Sequence, residues 1–476
     1  MAIFKKEQLN NIKRTANEIV NRTLDQHINL AVTGLSRSGK TAFITSLVNQ
    51  LLNYNSESQL SFFEPIQSQR FIAAKRVPQQ HYHIGRFDYE SAMSALTKEE
   101  PDWPVPTKGI SKIRLAIKYR PDSGLLKYAT DTRTLFVDIT DYPGEWLLDL
   151  PMLDQTYEEW SLQMASLIND EHKSSEASEF LAKLQTLDPF ANVDEQLLAE
   201  LAEDYTQLLL KLKHDKGYSI IQPGRFVLPG DLAGTPLLQF VPFLGFDDID
   251  VERYQYAKED SNIGMLRARF LEYKERVVRK FYKEHFVNFD RQIVLADCLT
   301  PLNRGAENFR ELQKAMEMIM ESFNYGKSSL FSRLFSPKID KLLFAATKAD
   351  HITPEQHSNL TSLLNQLIHK TKQHLGYEGV EMKTIALSSV KATLAGKGRH
   401  QGNTIPVIQG YTETRNKLVT VFPGEVPSQL PDVAYWQDNQ FNFMSFMPYQ
   451  AVKEHQTLPH LRIDQALQFL LGDKMK

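Results

Sequence analysis

The sequence predicts an α/β fold, with a mostly parallel central sheet carrying a phosphate-binding loop and a mostly helical segment inserted into it. Three observations predict it. First, the apolar run His27 to Thr33 leads into a glycine-rich turn and then a segment of helical period, Thr41 to Tyr54, which is the strand–turn–helix order a phosphate loop needs. Second, apolar runs of strand length (Arg291 to Ala296, Lys341 to Ala346, Glu381 to Leu387) alternate with helical segments around Ala306 to Phe323 and Pro354 to His374. That alternation marks a parallel sheet covered on both faces. Third, Leu150 to Gly217 is rich in Leu and Glu and has no strand pattern.

Before the first strand, Leu9, Ile12, Ala16, Ile19, Val20 and Leu24 recur at three- and four-residue steps, which predicts an amphipathic helix. Ser111 to Tyr119 alternates Ile113, Leu115, Ile117 and Tyr119 with Lys112, Arg114 and Lys118, the pattern of a half-exposed strand near a sheet edge. Thr134 to Thr140 is a more buried strand. The turn residues Pro121, Asp122 and Gly124 between them predict an antiparallel pair. Pro151 to Ile220 holds 14 acidic and 5 basic residues, whereas Val251 to Phe286 holds 6 acidic and 9 basic, so these two stretches are expected to pack on each other.

Val227 to Phe246 is apolar but contains Pro229, Pro236 and Pro242. Those prolines argue against a membrane span and for a buried or partner-facing loop. After Gly398 the chain reads as irregular, ending in a helix at Leu461 to Leu471. The expected division is 1–149 and 289–410 for a split nucleotide-binding domain, 150–288 for the helical insertion and 411–476 for an extension packed on the core.

Composition bounds the function. The 476 residues are 42% hydrophobic and 24% charged, with a net charge of −3, so a large core is expected and bulk nucleic-acid binding is not. The one cysteine, Cys298, excludes an internal disulfide and suggests a reducing compartment. It is expected to be a small packing residue.

The motifs carry the chemistry. Gly34-Leu35-Ser36-Arg37-Ser38-Gly39-Lys40-Thr41 satisfies G-x-x-x-x-G-K-[ST]. Its backbone N–H groups and the helix start at Thr41 and Ala42 suit phosphate oxygens, Lys40 suits the β- and γ-phosphates, and the Thr41 hydroxyl suits Mg²⁺. Asp141-Tyr142-Pro143-Gly144 follows a strand. There Asp141 can hold the metal, with Asp138 as a rival, while Gly144 can meet the γ-phosphate and Glu145 can orient water. Thr107, just before a strand, is the candidate second metal hydroxyl. Thr347-Lys348-Ala349-Asp350 fits [N/T]-K-x-D. In it the carboxylate accepts from guanine N1–H and the 2-amino group, donors that adenine lacks, and the Lys348 stem lies over the purine. Ser388, Ser389, Val390 and Lys391 would offer backbone groups to the guanine carbonyl. Arg225 is a candidate in-chain arginine finger or a structural residue. Trp146 is expected in the core, and His81 and His83 lack the companions of a zinc site.

The order of these motifs is that of Ras-like P-loop GTPases, which the chain resembles over about 33–145 and 291–392. GLSRSGKTAF, DYPGEWLLDLPML, QPGRFVLPGDLAG and LPHLRIDQALQFLLGDK also resemble, nearly end to end, the bacterial YcjX-like stress-associated P-loop proteins. That resemblance implies a cytoplasmic protein, stress-linked expression and a YcjF-type inner-membrane partner. The expectation is a Mg²⁺-dependent GTP/GDP switch that hydrolyses GTP. Its rivals are an ATPase using the same loop and a nucleotide-held scaffold that recruits a membrane protein through Val227 to Phe246.

Overall fold

The computed structural model describes residues 25–35, 37–55, 59–107, 109–122, 131–168, 174–323, 339–369, 379–413, 417–438, 441–449 and 456–476. The helix expected over Leu9 to Leu24 and the loop residue Ser36 lie outside them.

The strands are β1 (Gln26–Gly34), β2 (Phe71–Val77), β3 (Gly85–Arg86), β4 (Ser111–Tyr119), β5 (Arg133–Asp141), β6 (Arg291–Ala296), β7 (Lys341–Ala346), β8 (Glu381–Ala386), β9 (Thr393–His400), β10 (Asn403–Tyr411) and β11 (Leu418–Val421). Strands β1 to β8 form one sheet in the order β2-β4-β5-β1-β6-β7-β8, with β3 paired to β4. Neighbours from β5 through β8 run parallel, while β4 is antiparallel to both β5 and β2. The central strands read as unbroken apolar runs because both faces are covered; every residue of β6 is buried.

The two faces separate by the strand period of two. Leu30, Val32, Ile293, Leu295 and Leu343 face one apolar cluster, beneath the helices α1 (Lys40–Leu52) and, at the C-terminus, Ile463–Leu471. Ala31, Val294, Ala296, Leu342 and Phe344 face the other. That second cluster runs without a break into the residues of 150–288. There the helices α2 (Tyr157–Ile168), α3 (Ser174–Leu184), α4 (Glu195–Lys211) and α5 (Asn262–Tyr273) surround an aromatic nucleus. Within that nucleus Trp160 lies 5.4 Å from Phe240 and 5.2 Å from Phe270, and Phe226 lies 5.1 Å from Phe240.

Two expectations are corrected. Strand β4 is not a half-exposed edge, since β2 covers it and Lys112 and Arg114 are buried. Arg114 tolerates burial because its guanidinium lies 4.9 Å over the Phe136 ring and its Nε is 3.8 Å from Asp138. The chain after Gly398 is not irregular, for β10 and β11 join β9 in a small antiparallel sheet. Strand β9, Thr-Leu-Ala-Gly-Lys-Gly-Arg-His, is largely exposed and has no apolar alternation to detect. Val227 to Phe246, read as a buried or partner-facing loop, is buried at its end, while Gly230, Asp231, Ala233, Gly234 and Pro236 stay exposed. Phe240, Val241, Phe243 and Phe246 are buried, and the Tyr157 hydroxyl donates to the Val241 carbonyl at 2.7 Å. Among the described residues no helix is long and apolar enough to cross a membrane.

The chain's end closes the sheet. Arg291, fully buried on β6, donates to the Leu470 carbonyl at 2.5 Å, to both Asp473 oxygens at 2.6 Å and to Asp340 at 3.1 Å. Replacing Arg291 with Met would strand these acceptors. The expected loss is about 3 kcal/mol, near the low end for a broken buried pair because Asp340 and Asp473 keep some solvent. Chemical denaturation of the variant measures it.

Candidate functional site

The phosphate loop is shaped by close backbone approach. A Cβ on Gly34 would sit 2.4 Å from the Leu295 carbonyl oxygen, so no larger residue fits between β1 and β6 there. Gly39, with φ of +82°, sets the left-handed turn from which α1 starts at Lys40. Lys40 Nζ donates to the Gly34 carbonyl at 2.8 Å, so its ammonium lies across the loop mouth. Arg37 is also left-handed, at φ +63°, and Ser38 is buried with its hydroxyl unpartnered.

Beside the loop, three oxygen donors converge. Thr41 Oγ1 and Thr107 Oγ1 are 3.5 Å apart, although 66 residues separate them. Asp141, 1% exposed, points two oxygens without hydrogen-bond partners into the same corner. Burial pushes its carboxyl above the ordinary carboxylate range, and the Lys40 charge and the Thr107 hydroxyl oppose this. An all-oxygen set with an orphaned buried carboxylate fits a hard divalent cation such as Mg²⁺. Asp138, the rival, is turned away into its pair with Arg114. Gly144 packs on the loop itself, since a Cβ there would lie 2.6 Å from the Gly34 oxygen. Behind it Tyr142 is fully buried, stacked on Phe289 at 5.5 Å and held by Gln292 at 2.6 Å.

Glu145 is not a solvated glutamate. It is 3% exposed, and its Oε1 is 2.8 Å from Lys213 Nζ of the insertion. Burial works to raise its pKa, but the Lys213 and Lys40 charges outweigh that and hold it below the ordinary range. Arg225 does not reach this site. Its guanidinium lies 3.6 Å over the Trp146 ring, with further bonds to the Pro229 carbonyl and Asp231, so it is structural. Four residues beyond Glu145, Asp149 accepts from the Gly224 N–H at 2.9 Å and from the Tyr273 hydroxyl at 2.6 Å. The segment after the D-x-x-G motif is therefore bolted to the insertion. Cys298 is buried packing with a raised thiol pKa.

The base-side motifs meet in one cavity of about 460 Å³ with Arg37 to Ala42 and Thr107. It is lined by Thr347, Lys348, Asp350, Ser388, Ser389 and Val390, and closed by Trp103, His351, Ser445 and Phe446. That size suits a nucleotide-like ligand. Thr347 is buried against the Ala296 carbonyl. Lys348 Nζ is tied to Asp297 Oδ2 at 2.5 Å and to Thr300 at 3.3 Å. Asp350 accepts from the Ser388 hydroxyl at 2.5 Å and from the N–H groups of Ala392 and Thr393 at 2.5 and 3.2 Å. Three of a carboxylate's roughly four acceptor positions are thus used within the chain.

Asp297, Lys213 and Phe446 were not singled out from the sequence. Asp297 stood directly after a predicted strand and carried the only available signal. Lys213 was one lysine among several, and Phe446 lay in a stretch without pattern.

Comparison with known proteins gives a consistent picture. The YcjX-like family, DUF463, matches residues 28–475. The chain is similar to the protein named Ras-like GTPase YcjX of Escherichia coli strain K12, with 48% identity over 98% of this chain and 99% of the relative. It is similar also to the protein of that name from Shewanella oneidensis strain MR-1, with 43% identity over the same shares.

Burial raises Asp149 to about 7, against bonds from Tyr273 and Gly224 that lower it. The folded chain therefore holds this proton more tightly than the unfolded chain, whose Asp titrates near 3.9, about the usual value. The resulting stabilisation is complete below pH about 4 and is lost as pH rises to about 7. Asp149→Asn should remove that component, so the fall in melting temperature between pH 4 and 7 becomes shallower than in the wild type by scanning calorimetry.

Proposed function

The chain belongs to the YcjX-like family, and from that premise we propose that it is a Mg²⁺-dependent guanine-nucleotide switch that hydrolyses GTP slowly. The observation that carries the reading is the meeting of Thr41, Thr107 and the unpartnered Asp141 carboxylate at the mouth of a phosphate loop. The same cavity also gathers Thr347, Lys348, Asp350, Ser388, Ser389 and Val390. The names of the two relatives, Ras-like GTPases, point the same way.

In this reading Thr41, Thr107 and Asp141 would hold the metal, which would supply positive charge to offset that of the β- and γ-phosphates. Loop N–H groups from Gly34 to Ala42, including Ser36, and the Lys40 ammonium stabilise charge as water bonds to the γ-phosphorus. The bond to the β,γ-bridging oxygen breaks, its electron pair stays on GDP, and inorganic phosphate leaves. Lys40 exchanges its Gly34 carbonyl for phosphate oxygens, and Glu145 faces the attacking water. Release of the γ-phosphate frees Thr107 and Gly144, and the bonds from Gly224 and Tyr273 to Asp149 carry that motion into the insertion.

Asp350 reads the base. One acceptor position remains open on it, so contact with both guanine donors requires the Ala392–Thr393 turn to yield another. The division into 1–149 with 289–410, 150–288 and 411–476 goes with this reading. Stress-linked expression, a cytoplasmic location and a YcjF-type membrane partner rest on the family resemblance alone.

Titration with fluorescent GDP and ADP tests the base. GDP should bind at least about tenfold tighter, since a missing donor leaves the carboxylate unpaired; equal affinities would overturn the guanine reading in favour of the ATPase. Asp350→Asn should weaken GDP and shift preference toward the xanthine nucleotide. A second measurement addresses the metal corner. Asp141→Ala or Thr107→Ala should abolish the Mg²⁺ dependence of triphosphate binding, and an unchanged dependence removes that residue from the corner.

A further inference from the structure

Three lysines end α4 and the turn that follows it, and they part company. Lys211 and Lys216 are half-exposed and both pair with Glu176 on the surface. Lys213, between them, is buried and meets Glu145 at 2.8 Å. The backbone makes the difference. Leu212–Lys216 is a widened π-helical turn, with the Gly217 N–H bonded to the Leu212 carbonyl and Gly217 left-handed at φ +72°. Such bulges re-aim side chains and recur at functional sites. A buried ion pair is a poor device for stability, because an apolar pair of similar volume does as well or better. The charge on Lys213 therefore calls for another explanation.

The surroundings supply one. Glu145 follows Gly144, which packs on Gly34 of the phosphate loop. Glu145 and Lys213 border a cavity of about 60 Å³ that the loop closes through Leu35 and Arg37, with Asp297 and Arg304 on the far wall. The cavity has charged groups on a partly apolar wall and is large enough for water. We propose that Lys213 is a positioning residue for hydrolysis, through which the insertion holds the Glu145 carboxylate in place beside the γ-phosphate end of the loop. The assignment rests on the GTPase reading given above.

The charged groups around Glu145 are Lys213, Lys40 and Asp149, with His214 next to Lys213 and Arg37 across the cavity. Without Lys213, burial would dominate and Glu145 would hold its proton to higher pH.

Single-turnover GTP hydrolysis against pH, alongside GDP affinity, tests this. Lys213→Met should bind GDP within about twofold of wild type and hydrolyse about a hundredfold more slowly, the loss that a misplacement of about an ångström brings. The acid limb of its rate profile should move to higher pH, and Lys213→Arg should restore both rate and limb. Should Lys213→Met fold poorly, the double variant Lys213→Met with Glu145→Leu buries no charge and should fold yet remain equally slow. Wild-type rate and pH profile in Lys213→Met, or wild-type rate in the double variant, overturns the assignment while leaving the GTPase reading intact. A wild-type chain that binds GTP and releases no phosphate overturns both.

Discussion

Five parallel strands end at one edge of the sheet, and nearly every candidate binding residue hangs from one of those ends. The register sets Val32 beside Asp141, Gly34 beside Leu295, and Ala296, Ala346 and Ala386 in line. The next residues along each strand are the phosphate loop, the D-x-x-G turn, Asp297, Thr347 to Asp350, and Ser388 to Val390. A slip of one residue between any two strands would turn their side chains to opposite faces and scatter the site. The apolar runs that bury both faces of β6 and β7 are therefore as much a part of nucleotide recognition as the loop, because they fix the places from which the loops depart.

The insertion is not appended to this frame at a distance. Chain leaving the sheet at Asp141 packs at once into the cluster it shares with residues 150–288, and Trp146, Leu147, Leu148 and Leu150 are all buried in it. Gln222 donates to the Leu148 carbonyl at 2.6 Å, Gly224 and Tyr273 hold Asp149, and Lys213 holds Glu145. Every one of these contacts lands between residues 145 and 149. Under the proposed switch, a short segment gripped at several points by one body and resting its glycine on another would transmit small displacements, since packed interiors shift between discrete arrangements rather than deform smoothly.

The legible part of the fold was the part with a strong period or a fixed spacing. HINLAVT, RQIVLA and KLLFAA announced buried parallel strands, and the strand pair of β4 with β5 followed from the turn between them. The phosphate loop and T-K-A-D were legible because their glycines, lysines and acids admit few substitutes. Thr107 was reachable only by its position before a strand, and its 3.5 Å approach to Thr41 is a fact of tertiary structure. Strands β2 and β9 escaped because exposed strands of mixed composition carry no alternation. Lys112 and Arg114 misled for the converse reason. Their charges read as solvent-facing, whereas a ring beneath Arg114 and a neighbouring carboxylate let it lie inside. No local pattern marks Lys213, whose partner is 68 residues away and whose inward turn depends on one widened helical turn.

Two ion pairs stand just past the strand ends that carry the motifs, and they are alike in construction. Lys348 of the base motif meets Asp297 on one side, and Glu145 of the D-x-x-G segment meets Lys213 on the other. In each, a motif residue is held by a residue outside any motif. In each, burial alone would neutralise the acid, and the lysine keeps it charged. Desolvation makes such pairs expensive as stabilisers, but it also makes them stiff, because a buried charge has few other positions in which it is satisfied. Under the proposed function, such stiffness would suit a site in which a purine lies flat at one end and a water is aimed at the other. The sheet would then supply the places, and these two pairs the angles.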